Sequence, residues 1–368
     1  MKNLIIAVFT IFSAGEVLAQ EVEESKTSLK LSGYADVYYA NFSNDMEPNE
    51  FQPYTTVAPR DARFGLNIAQ TSLAYTSEKV RGNISLHWGD IPQATWSSEF
   101  TNIQEANIGI RLKGDWWLDA GFFTTHIGTE SFLPKNNFLS STAIATYNEP
   151  FYQAGAKLSY SGSEKWYGEL WVVNGYNYFL DVNDAKSVGI LLSYNFNDNT
   201  SLTYTNLFGK ELPSGSGDDA FRTYHNLYLN AHFADKWFLQ VGGDIGTQSH
   251  SGLSTPEETA IMYNALATLR YQVNDKLSFT GRGELFNDEN GFISGLLPSS
   301  NDRPQGLEMW GITMGSEFRP IAHAYIRGET RFLHLNEDIS FFEGDLDPNK
   351  RWEVLFTMGY QFDKLFER

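Results

Sequence analysis

Residues Arg351 to Phe362 read R-W-E-V-L-F-T-M-G-Y-Q-F, and this stretch decides the fold. Trp352, Val354, Phe356, Met358, Tyr360 and Phe362 fall on one side of an extended strand. Glu353, Thr357, Gly359 and Gln361 fall on the other, with Leu355 the one apolar exception. A period of two with one greasy, aromatic-ended face marks a strand between an oily phase and a wetter one. Whether the oil is a protein core or a bilayer depends on how the rest of the chain repeats it.

The repeat is chain-long. Leu29, Leu31, Gly33, Ala35, Val37 and Tyr39 alternate with polar neighbours in a first strand. Leu66 to Thr76 resumes the pattern with a slip of register near Ala69, read as a bulge. Further strands pair across short turn signals such as Gly114-Asp115, Asn197-Asp198-Asn199 and Asn274-Asp275-Lys276. The spacing predicts about sixteen strands, in which short turns alternate with longer loops. The expected fold is all-β: one transmembrane antiparallel barrel with short periplasmic turns and long extracellular loops.

The ends of the chain fit export. Lys2, the apolar run Leu4 to Phe12 and Val17-Leu18-Ala19 read as a cleaved secretory signal over 1–19. Residues 20–368 then form a single domain, with strands from about 27 to 362 and a short tail over 363–368. No later apolar run is long enough for a membrane helix. The chain has no Cys, so closure or a large core must replace a disulfide framework.

Three observations favour lipid over a soluble sandwich. Aromatics crowd the strand ends beside the short turns: Trp116, Trp117, Trp166, Tyr167, Tyr194, Phe196, Trp237, Phe318, Tyr360 and Phe362. Amphipathic rings settle at headgroup level, which makes these a girdle. The opposite parity carries many charges, including Arg282, Glu284, Glu317, Arg319, Arg327, Glu329, Arg331 and Glu353. Burying them dry would cost several kcal/mol each, so they are read as the wall of a wet lumen. The net charge of −18 lies almost wholly in the longer loops, above all His334 to Lys350.

The stretch G-F-F-T-T-H-I-G-T-E-S-F from Gly121 resembles the putative β-barrel porin-2 family of Gram-negative outer membranes. So do Y-N-E-P-F-Y-Q-A-G-A-K-L-S-Y from Tyr147, S-G-Y-A-D-V-Y-Y from Ser32, G-R-G-E-L-F from Gly281 and I-R-G-E-T-R-F from Ile326. The resemblance implies an outer-membrane porin passing small hydrophilic solutes or ions, with no cofactor. Its expected partners are outer-membrane lipid and lipopolysaccharide, the barrel-assembly machinery, and further copies of itself, since such porins are often homotrimers. Such barrels commonly end on an aromatic, whereas here Asp363 to Arg368 follows Phe362.

Side chains alone do not fill so wide a barrel. The long loop from about Thr124 to Glu149 is therefore the candidate constriction, with His126, Glu130 and Lys135 as its charged or titratable residues. On the wall, Arg282 and Glu284 of the thirteenth strand and Arg327, Glu329 and Arg331 of the fifteenth flank Glu317 and Arg319. Either they pair across strands and stiffen the barrel, or they set a transverse field for solutes. The acidic loops lean the mouth toward cations. A barrel with a plugged lumen and a structural or adhesive role is the alternative in another class, and a rim hydrolase a third.

The remaining motifs carry no chemistry. The seven His are scattered, with no H-E-x-x-H or G-x-S-x-G spacing, so neither a metal nor a catalytic residue is assigned. Asp345-x-Asp347-x-Asn349 begins like a calcium loop but lacks its Gly and Glu. The negative charge disfavours nucleic acid.

Overall fold

Alternating faces make each strand amphipathic, and only closure leaves no unpaired edge in a bilayer. The structure, a computed structural model, describes residues 27–367 except 48, 215–219, 299–303, 337–338, 340 and 343–346. The signal read over 1–19 lies outside the described residues, as do Glu337, Asp338, Glu343 and Asp345 of the acidic segment.

The chain forms a closed barrel of sixteen antiparallel strands in which each strand pairs with its sequence neighbours and the last pairs with the first. On one side lie β1 (Ser28–Phe42), β2 (Arg63–Thr76), β3 (Val80–Trp88), β4 (Ile103–Arg111), β5 (Trp116–Thr124), β6 (Tyr152–Tyr160) and β7 (Trp166–Val173). Then come β8 (Ser187–Asn197), β9 (Thr200–Gly209), β10 (Arg222–Phe233), β11 (Trp237–Gln248) and β12 (Ala260–Asn274). The wall closes with β13 (Leu277–Asp288), β14 (Leu307–Ile321), β15 (Ala324–Leu335) and β16 (Lys350–Glu367). Short turns such as 198–199 and 275–276 occupy one end, and long loops the other.

Burial follows parity. Along β16, Trp352, Val354, Phe356, Met358 and Tyr360 are exposed on the outside, and Arg351, Glu353, Leu355 and Thr357 are buried inside. An apolar outer face with a polar inner one is the reverse of a soluble barrel, and it fits lipid outside.

One local expectation is located and two change. The bulge expected near Ala69 in β2 sits at Asn67: Val37 pairs with Leu66 and Asp36 with Ile68, which leaves Asn67 over. That extra residue has a purpose. Asn67 Nδ2 donates to Asp36 Oδ1 at 2.6 Å, and Asn67 Oδ1 accepts from the Ala58 N–H at 2.6 Å. Second, the last strand does not stop at Phe362. Its ladder with β1 continues to Ser28 opposite Glu367, so residues 363–367 of the segment read as a tail are strand.

Third, two girdle residues point inward. Trp117 is buried on the interior face, with the Arg81 and Arg111 guanidinium groups 4.5 and 4.9 Å from its ring centre. Tyr167 donates its hydroxyl to Glu169 inside the barrel. Both follow from parity, because Trp116 and Trp166 already hold the outward positions. Trp116, Trp166, Phe196, Phe318, Tyr360 and Phe362 are exposed outside, and Trp237 is half-exposed beside Tyr271.

Candidate functional site: a loop folded into the barrel

The inward positions of β12 to β16 form a dense field of alternating charge. Glu317 accepts from Arg270 at 2.9 Å, Arg319 at 2.7 Å and Arg327 at 2.8 Å. Glu284 accepts from Arg331 at 2.9 Å, and Glu353 from Arg351 at 2.6 Å. Most are sealed, and Arg282, Arg327, Arg331 and Arg351 are among the largest fully buried side chains. Arg351 lies against Phe42 and Phe342, and Arg282 and Arg327 are covered by the loop between β5 and β6.

That loop runs inside the barrel and is bonded to its wall at many points. His126 stacks on Trp171 with ring centres 4.7 Å apart, and its ring nitrogens meet Gln153 at 2.8 Å and the Asn206 carbonyl at 2.9 Å. Thr129 reaches Asn226 and Gln240 across from it. Glu130 meets the Arg282 guanidinium at 3.0 Å, and Arg282 also donates to the carbonyls of Ser141 and Thr142. Arg327 donates to the carbonyls of Pro134 and Asn137, each at 2.8 Å. Glu329 accepts from the backbone N–H of Ser140 and Ser141, and Glu284 from that of Ile144 at 2.6 Å. The bonds made by Arg282, Arg327, Glu284 and Glu329 are charge-assisted and buried, about twice the strength of neutral ones.

The chain takes this route for local reasons. A 3-10 turn at Pro134–Asn136 and a short helix α1 at Ile144–Asn148 use few backbone bonds, so wall arginines and carboxylates supply the rest. Gly128, at φ +118, lies where an added Cβ would strike the Glu149 carboxylate, so only glycine lets the two ends of the loop approach.

Burial shifts the loop's titrating groups. It pushes the Glu130 carboxyl up, against the pull of Arg282, and pushes Glu149 well up, with nearby Asp244 adding to it. It pushes the His126 imidazole down, favouring its neutral form. Lys135 is lowered to about 8 by burial, while it donates to Gln70 at 3.0 Å and lies 4.8 Å over the Tyr34 ring.

The three loop residues singled out from sequence thus reach three parts of the wall: His126 at β6 and β9, Glu130 at β13, Lys135 at β1 and β2. All eight wall residues named from sequence face inward, and Arg282, Glu284, Arg327 and Glu329 touch the loop directly. Sequence reading missed the loop's own contribution, the backbone of Ser140 to Ile144, because backbone donors leave no residue signature. The small polar run Ser140-Ser141-Thr142 was the available hint.

A family model described as putative β-barrel porin-2, OmpL-like, matches residues 28–362. The chain belongs to this family. The porin-2 barrel also resembles solved outer-membrane proteins. The anion-selective porin from Comamonas acidovorans is 11% identical, with a TM-score of 0.61 over 91% of this chain and 100% of that one. The outer membrane channel DcaP of Acinetobacter baumannii is 11% identical, with a TM-score of 0.61 over 91% and 97%. A trimer form of OmpT from Vibrio cholerae is 8% identical, with a TM-score of 0.60 over 91% and 99%. At such identities the likeness concerns the fold. No curated protein sequence matches.

Proposed function

We propose that this outer-membrane barrel is a passive diffusion channel for small hydrophilic solutes or ions, and that the loop between β5 and β6 is its constriction. The observation that carries the reading is the inward-folded loop, moored by polar and charged bonds on Arg282, Arg327, Glu284 and Glu329. A loop held in place by bonds to the wall narrows a wide lumen without requiring it to be filled.

The plugged alternative has one observation in its favour. Loop residues form apolar clusters inside the barrel, among them Tyr54, Ile127, Ile144 and Phe342. Planar-bilayer recording separates the two. A channel gives stable conductance steps, and deleting residues 131–136 raises their size. A folded, heat-modifiable barrel that gives no steps overturns the channel.

We further propose a homotrimer. Strands β3 to β7 have only 8–9 residues, near the lower limit for crossing a bilayer, about 9–11. A second copy against this low wall would shield it from lipid mismatch. Sedimentation in detergent should give three chains per particle, and a monomer overturns it.

A further inference from the structure

Interior carboxylates and interior bases differ in how they meet water. Asp36, Asp119, Glu169, Asp244, Glu284, Glu317, Glu329 and Glu353 are all buried. Among the described residues of the strands, the inward-facing acids with solvent reach are Glu105 and, at the end of β16, Asp363 and Glu367. Among the described residues of the wall and this loop, six lysines and arginines have such reach: Lys30, Arg81, Arg111, Lys157 and Arg319 on the wall and Lys135 on the loop. All six lie toward the short-turn end.

Three of the four ion pairs among them are one-sided, the exception being Lys30 with the more exposed Asp363. The Arg81 side chain is 28% exposed and its partner Asp119 4%; Lys157 is 17% exposed and Glu169 2%; Arg319 is 28% exposed and Glu317 2%. A solute in the lumen therefore meets the donor first and the acceptor behind it. Arg111 and Lys135 form no ion pair among the described residues, so their charges are uncompensated at close range. Trp117 steadies two guanidinium groups at one ring, and a guanidinium fork binds a carboxylate or phosphate by two parallel bonds.

We propose that the short-turn half of the interior is a binding track for small anions bearing carboxylate or phosphate groups, with Arg81, Arg111 and Lys135 at its centre. The proposal rests on the channel reading and opposes the cation lean of the acidic loops. Those loops lie at the mouth, where salt screens them over about 8–10 Å; the track lines the path itself, where a low-dielectric wall focuses the field.

The test is a reversal potential across a potassium chloride gradient, with the full-length protein in planar bilayers. The wild type should favour chloride. A Lys30→Gln/Arg111→Gln/Lys135→Gln variant leaves no buried carboxylate unpaired, and its anion-to-cation permeability ratio should fall several-fold. Arg111→Gln alone should shift the ratio less, in the same direction, which covers any folding failure of the triple variant. In proteoliposome swelling, gluconate should enter faster than glucosamine. Cation preference in the wild type, or an unchanged ratio in both variants, overturns the track while the channel stands. Absence of any conductance overturns the channel, and the track with it.

Discussion

The arc β13–β16 and the arc β3–β7 are built from the same residue types and use them in opposite ways. In the first, whose strands have 12–18 residues, Arg282, Glu284, Arg327 and Glu329 are buried beneath the loop and spent on holding it, while Arg319 at the turn end stays partly exposed. In the second, strands of 8–9 residues carry Arg81, Arg111 and Lys157, which no loop covers fully. A charged side chain on the inner wall is a structural bolt where the loop sits on it and a solute contact where it does not. Cover, not residue type, decides which.

The sharpest way to break this comparison is one arginine from each arc. Arg282→Gln leaves Glu130 without its cation in a sealed site, while Glu284 keeps Arg331. Removing one partner of a buried pair costs about 3–5 kcal/mol, so the loop should detach, with noisy, enlarged conductance and a lower melting temperature. Arg111→Gln removes a stacked, solvent-reached cation worth about 0.5–1 kcal/mol, so melting should barely move while ion preference does. Equal destabilisation by the two variants would dissolve the distinction between the arcs.

A smaller effect comes from pH. Lys135 titrates at about 8, below the ordinary 10.5, because burial disfavours its charge. It is cationic below about 8 and neutral above, so anion preference should decline as pH rises through 8. The decline should vanish in Lys135→Gln. The folded state binds fewer protons than the unfolded chain between the two values, so this residue's stability contribution rises with pH across that window. A preference flat in pH would remove Lys135 from the path.

Much of the barrel was legible in the chain. Period-two alternation assigns each residue to lipid or lumen, and turn pairs such as Gly114-Asp115 mark where strands reverse. Trp117 and Tyr167 lie near turns yet face inward because parity sets facing, and their neighbours Trp116 and Trp166 hold the outward positions. The end of β16 is not legible in this way. Beyond Phe362 the alternation of apolar and polar residues lapses, although the backbone ladder with β1 goes on. A ladder of backbone bonds needs no side-chain signature.

The sequence by itself determined the closed sixteen-strand wall and which side chains face its interior. Both follow from a local rule, that neighbouring residues of a strand point opposite ways. Only the tertiary structure decided that the 124–149 loop enters the barrel, and hence that Arg282 and Arg327 are covered and Arg111 is not. Those facts depend on contacts between residues more than a hundred positions apart, such as Glu130 with Arg282 and Asn137 with Arg327. No periodicity reports such contacts.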